Sequence, residues 1–257
     1  LTGIAFATAI IGGAVFVDRV LYGGPDDQRL ALGALAGATA LGALLSGFAV
    51  RVLSLRIVTL TGLLLSAATL WMMSSWTPAV TIGTVALVLG GFGFGFGLTV
   101  TPRSTAAVES AGRASFGMAS AIVTVARMIG MAIGVAVLTA YGSTQIDRLY
   151  DRLFSAASPD GWKAVIPAEL RDRPLRDGLV VNALEAWAAR EASGILVGMF
   201  LAAGVVTIIA IPPGLALGGR TRRLTAERAA DGAAVTGGAG GTGGHDGQEE
   251  LEAPIAL

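Results

Sequence analysis

Long apolar runs separated by short polar breaks dominate this chain, and their lengths predict six membrane-spanning helices. The runs cover roughly residues 1–17, 30–50, 57–76, 79–101, 115–142 and 193–217, each near the ~20 apolar residues that cross a bilayer core. Asp18 to Arg29, containing Gly23-Gly24-Pro25, reads as a polar loop. Arg51 to Arg56 makes a tight turn and Trp76-Thr77-Pro78 another, with Trp71 and Trp76 placed for a membrane interface.

The fifth run does not stop at the membrane surface. Ile146, Leu149, Tyr150, Leu153 and Phe154 continue it at helical spacing. An unbroken helix over 115–154 would be about 60 Å long, against a bilayer of ~45 Å. Leu179, Val180, Ala183, Leu184 and Trp187 lead back toward the sixth run as an amphipathic stretch. Pro159, Gly161, Pro167 and Pro174 interrupt the connection between them. The expected organisation is five spans in 1–142, an extracytoplasmic helical extension and loop in 143–192, the last span in 193–217, and a disordered cytoplasmic tail in 218–257.

Basic residues orient the spans. Arg51, Arg56, Arg103 and Arg113 fall on one side, joined by Arg220, Arg222, Arg223 and Arg228 after the sixth run. That side is expected to be cytoplasmic, so the tail is cytoplasmic and the protein a multi-pass resident of the inner (plasma) membrane. Leu1 is not an initiator methionine and opens inside an apolar stretch without a basic n-region. The chain therefore reads as a piece of a longer protein.

Composition narrows the function. Charged residues make up 14% of the chain and apolar ones 53%, against roughly a quarter charged in soluble domains. Net charge is zero, which offers nothing to nucleic acid. No cysteine is present, excluding disulfides and thiolate metal sites, and the sole histidine, His245, sits in the polar tail. No cofactor or metal is expected, nor an enzyme: Ser-His-Asp and HExxH patterns are both absent.

Three groups of residues remain as candidates. Arg127 lies about twelve residues into the fifth run, where a guanidinium costs at least ~2.5 kcal/mol. A role in coupling or substrate passage competes with simple satisfaction by carbonyls. Spans two to six hold no interior Asp or Glu, leaving Asp18 at the outer end of the first run as the carboxylate within reach. Gly91/Gly95, Gly93/Gly97 and Gly130/Gly134 form small-xxx-small pairs for close helix packing, and glycine there also permits bending. Outside the membrane, Asp147 and Asp151 share one helix face, and Arg148 and Arg152 share the next. They read either as a solvated face with an Arg148–Asp151 pair or as an outer gate docking on another helix.

Taken together, a Gly-rich span with Gly93, Gly95 and Gly97, Pro102, the run Gly112-Arg113-Ala114-Ser115 with Gly117, and Arg127 followed by Gly130 and Gly134 resemble the major facilitator superfamily. The pattern is most similar to its fourteen-span drug:proton antiporter branch. The turn from Gly47 through Arg51 to Arg56 resembles the family's cytoplasmic loop signature without its acidic residue, and Pro102 and Arg113 would belong to the next cytoplasmic loop. The resemblance implies an all-α polytopic protein, here the six-helix C-terminal bundle of a major facilitator fold with its last two helices extended outside the membrane. It also implies alternating access against an N-terminal half. The extension resembles mycobacterial triacylglyceride exporters that act with a periplasmic lipoprotein. The expected function is a secondary, proton-coupled exporter of hydrophobic molecules, either lipid or drugs, with membrane lipid among its partners. The alternative is a non-transporting scaffold or sensor whose external hairpin binds a partner.

Overall fold

The computed structural model describes residues 1–111, 116–154 and 160–216. Gly112, Arg113, Ala114, Ser115, Pro159, Arg220, Arg222, Arg223, Arg228 and His245 lie outside them. The described residues are helical without a strand: α1 (Thr2–Val15, prolonged by a π-helical turn, Phe16–Val20), α2 (Pro25–Val52), α3 (Leu55–Met73), α4 (Ile82–Leu98), α5 (Val100–Ala111), α6 (Phe116–Phe154), α7 (Gly178–Ile209) and α8 (Ile211–Ala216). Six stretches are long and apolar enough to cross a membrane. The chain is an all-α polytopic membrane protein.

Local chemistry starts the helices. Pro25 occupies the first turn of α2, and the Gly24 N–H donates to Asp27 Oδ2 at 3.1 Å. Ser54 accepts from the Ile57 N–H, Thr81 from the Thr84 N–H, and Asp177 from the Leu179 N–H, capping α3, α4 and α7. Leu53 and Ser54 alone reverse the chain between α2 and α3. Gly47 and Arg51 are consequently helical residues of α2 and Arg56 of α3, rather than parts of a loop.

Pro102 is likewise helical. It cannot donate to the Leu98 carbonyl, so the helix breaks at Thr99 and restarts as α5 with Pro102 buried in its first turn. The Thr99 N–H donates instead to the Phe96 carbonyl at 3.0 Å. The Ser46 hydroxyl meets Thr101 Oγ1 at 2.6 Å and anchors α5 to α2. Arg103, next to Pro102, is thereby held on a helix.

Packing follows the glycines. Lipid supplies little hydrophobic drive between helices, so close backbone approach has to hold them. One stripe of α4 faces α2: a Cβ on Gly93 would strike the Leu35 carbonyl oxygen, and one on Gly97 the Thr39 carbonyl oxygen. The adjacent stripe faces α3, where a Cβ on Gly95 would lie 2.8 Å from the Ser66 nitrogen and one on Gly91 3.0 Å from Thr69 Cγ2. Gly134 sets α6 onto α1, its Cβ position 3.0 Å from Ile4 Cα, and Gly130 approaches Gly3. All six glycines serve interhelical contact.

Trp76 is 4% exposed, wedged between Phe16 (ring centroids 4.8 Å) and Phe200 (5.5 Å). It belongs to the core rather than the membrane interface, because its ring packs between α7 and the π-helical turn that prolongs α1. Trp71 remains exposed.

α6 has 39 residues and α7 has 32, about 58 Å and 48 Å at 1.5 Å per residue. They meet only sparsely along their length. At their far ends a separate apolar cluster of Trp162, Ile166 and Val180, flanked by Leu153, Leu170 and Leu184, bridges them.

Candidate functional site

A half-open apolar cavity of about 640 Å³ lies between α1, α2, α4 and α6. Phe6 and Ile10 of α1, Leu35 and Thr39 of α2, Phe96 of α4, and Met128 and Met131 of α6 line it. Helical spacing explains the set, since Phe6/Ile10, Leu35/Thr39 and Arg127/Met131 are i,i+4 pairs that share a face. Phe6 stacks on Phe96 with ring centroids 4.2 Å apart, forming a flat aromatic wall.

Among the described residues, Arg127 is the only charged one in the lining. Its guanidinium is exposed and has no hydrogen bond or ion pair to a described residue. It also lines a smaller pocket of about 260 Å³ with Arg103, Thr2 and Ser104. Arg103 is differently placed: it donates to the Thr99 carbonyl at 2.7 Å, to Thr99 Oγ1 and to Thr2 Oγ1, and lies 5.6 Å over the Phe96 ring. Of the two arginines, one is satisfied by Thr99 at the break before its helix and by Thr2 of α1, and the other faces the cavity.

Asp18 is remote from Arg127. It sits in the π-helical turn, pairs with Arg19 at 3.0 Å and accepts from Gln28 Nε2 at 3.4 Å. Gly3, whose neighbourhood includes the Arg127 carbonyl, is fifteen residues back along the same helix, about 22 Å. The structure does not unite the two candidates.

On the projection, Asp147, Arg148, Asp151 and Arg152 are all exposed. None of them forms an ion pair with a described residue, so the Arg148–Asp151 pair is absent. Leu153, Val180 and Leu184 pack into the Trp162 cluster, and Leu149 is half-buried. Among the described residues no group of three His, Cys, Asp or Glu side chains could hold a metal ion.

Sequence reasoning missed the methionines and the satisfied state of Arg103. The lining residues have no composition that sets them apart from other apolar faces. Thr99, four residues before Arg103, was the one available signal for the latter.

No protein-family model matches the chain. It is 33% identical over 170 residues to a triacylglyceride transporter of Mycolicibacterium hassiacum, covering 62% of this chain and 32% of that protein. It is 31% identical over 229 residues to a triacylglyceride transporter of Mycolicibacterium smegmatis, covering 85% and 39%. A probable triacylglyceride transporter of Mycobacterium leprae is 32% identical over 189 residues, covering 68% and 36%. The chain thus spans between 32% and 39% of the length of these curated relatives, and it is similar throughout that part to proteins named as lipid transporters.

Proposed function

We propose that this chain forms the C-terminal six-helix bundle of a major facilitator exporter that moves a neutral lipid, a triacylglyceride or a close chemical relative, out of the plasma membrane. The observation that carries the reading is the apolar half-cavity with one free guanidinium. Aromatic and thioether walls accept acyl chains without demanding a fixed geometry. The names of the relatives support the substrate class.

In this reading an N-terminal half closes the cavity, and the two halves rock about it in alternating access. Arg127 faces that half and takes part in coupling, with protons as the driving ion. Asp18, about 22 Å away along α1, acts at the outer boundary of the bundle rather than with Arg127. The projecting ends of α6 and α7 shield acyl chains from water, at ~0.8 kcal/mol for each CH₂ otherwise exposed, and offer a surface to a periplasmic lipoprotein. The exposed rows Asp147/Asp151 and Arg148/Arg152 act as the outer gate, so reversing Arg148 and Arg152 to Glu impairs export while the protein stays in the membrane. Unchanged export would remove the gate from the mechanism.

Lipid mass spectrometry on cells lacking the full-length gene tests the whole reading. Intracellular accumulation of neutral lipid, reversed by complementation, is the expected result. An unchanged lipid profile together with greater drug sensitivity would replace lipid by drugs as the cargo.

A further inference from the structure

α6 lies along α1 and leaves a depression on each flank. One is the half-cavity toward α2. The other, toward α7, is a groove of about 280 Å³. Its floor is Ile4 and Thr8 of α1, and its walls are Val137 and Tyr141 of α6 and Ala202 and Val206 of α7.

The groove exists because both long helices seat on α1 but not on each other. Gly134 lets α6 sink against Ile4, and Gly12 lets Phe200 of α7 press onto α1. Gly142, beside Met199, and Gly198, which lines the slot, do the opposite of the packing glycines. Added Cβ atoms there would stand 3.7 Å from Met199 Cε and from the Tyr141 hydroxyl, in ordinary contact. These two glycines leave room that packing does not require.

The unpartnered side-chain polar group of the lining stands at one end. The Thr8 hydroxyl donates to the Ile4 carbonyl at 3.0 Å, so the floor offers no free donor. At the end nearer the projection stands the Tyr141 hydroxyl, without a hydrogen-bond partner among the described residues. From Gly198 to Val206 the slot runs eight residues, about 12 Å.

We propose that this groove seats one acyl chain of a bilayer glycerophospholipid, whose ester carbonyl accepts from the Tyr141 hydroxyl. The slot opens sideways within two spans, where the surrounding medium is hydrocarbon and an empty apolar slot forfeits dispersion contacts. Tyrosine at the polar end suits the headgroup boundary, where an ester lies and where water is scarce enough for an acceptor-only partner to matter. One slot and one donor fit a lipid anchored by its head with one tail inserted. A three-tailed neutral lipid would leave two tails and two esters unaccommodated. The assignment does not rest on the transport reading.

The test is photolabelling of the purified full-length protein in phosphatidylcholine vesicles carrying a mid-chain diazirine, with adducts mapped by peptide mass spectrometry. Adducts should concentrate on 134–141 and 198–206 above the exposed apolar positions Leu64 and Leu87. Ala202→Phe should abolish the groove adducts and leave the others unchanged. Gly198→Leu serves as a second filling variant should the first fail to fold. Tyr141→Phe should lower occupancy about fivefold, the worth of one net hydrogen bond. Groove labelling no higher than at Leu64 and Leu87, or unaffected by either filling, would overturn the proposal. So would preferential labelling by a diazirine triacylglyceride in the same vesicles.

Discussion

The Tyr22 hydroxyl donates a 3.1 Å hydrogen bond to the Glu185 carbonyl oxygen, joining the end of the first span to the outer part of α7 across 163 residues. Tyr22 adopts a left-handed backbone (φ 51°) just before Gly23-Gly24-Pro25, which aims its ring outward along α7. Partial desolvation, ahead of the nearby Glu185 charge, raises its hydroxyl above the ordinary tyrosine value, so it remains a donor at physiological pH. Replacing Tyr22 with Phe should leave the spans intact and speed hydrogen exchange in α7 near Glu185. The ceiling is about 1 kcal/mol, the net worth of one hydrogen bond, and the exposed setting lowers it.

Gly93 and Gly37 make a controlled pair. A Cβ on Gly93 meets the Leu35 carbonyl, whereas one on Gly37 meets nothing within 4 Å. Gly93→Ala should cost about 1–3 kcal/mol by forcing α2 off α4. Gly37→Ala should be neutral or slightly stabilising. Thermal melting of the detergent-purified full-length protein reads both, and equal melting points would contradict the clamp.

Arg127→Ala should abolish export with little change in melting temperature, because the guanidinium makes no contact with a described polar partner that folding would lose. Arg103→Ala should do the reverse and destabilise first, since it leaves Thr99 and Thr2 without their donor. Transport assays paired with melts on both variants separate the two roles.

Trp162 is 7% exposed in the outer cluster, which shares no residue with the main core around Phe16, Trp76 and Phe200. Trp162→Ala should cost ~3–5 kcal/mol locally. The connection between α6 and α7 then becomes sensitive to limited proteolysis while the spans melt as before. A shared drop in both readouts would show that the projection and the spans fold as one unit.

Asp177 caps α7, its carboxylate accepting from the Leu179 N–H at 2.9 Å and from Arg173 at 3.0 Å. The backbone N–H, ahead of the guanidinium, holds its carboxyl below the ordinary aspartate value. A depressed native value contributes stability above the unfolded value of about 4 and loses it as pH falls through the native one. Fraying at the start of α7, followed by amide exchange, should therefore set in only on acidification below about pH 4. Asp177→Asn keeps the cap and should remove most of that pH dependence.

Hydrophobic run length made the six spans and the continuous fifth helix legible in the residues alone. A span must bury its own backbone polar groups, so ~20 apolar residues in lipid leave helix as the only local solution. The Gly91/Gly95, Gly93/Gly97 and Gly130/Gly134 pairs announced close packing for the same reason. Their partners were not readable, because small-xxx-small spacing marks a face and not what meets it. Pro102 reads as a loop residue because helix propensity is weak beside a proline, whereas the local bond from Thr99 to the Phe96 carbonyl and the tertiary bond from Ser46 to Thr101 hold the helix on either side of the break.

What the chain determined by itself was therefore the one-dimensional part: an all-helical membrane protein, its spans, and an intramembrane guanidinium at Arg127. The fold alone decided which of two arginines is satisfied and that Asp18 and Arg127 stay apart. It also decided that Trp76 is core, and that α6 leaves a cavity on each side of α1. Periodicity specifies a helix face, but in lipid nearly every face is apolar, so burial pattern carries little information about neighbours. Those depend on where two backbones can approach closely, a property of pairs of helices that no single stretch of sequence contains.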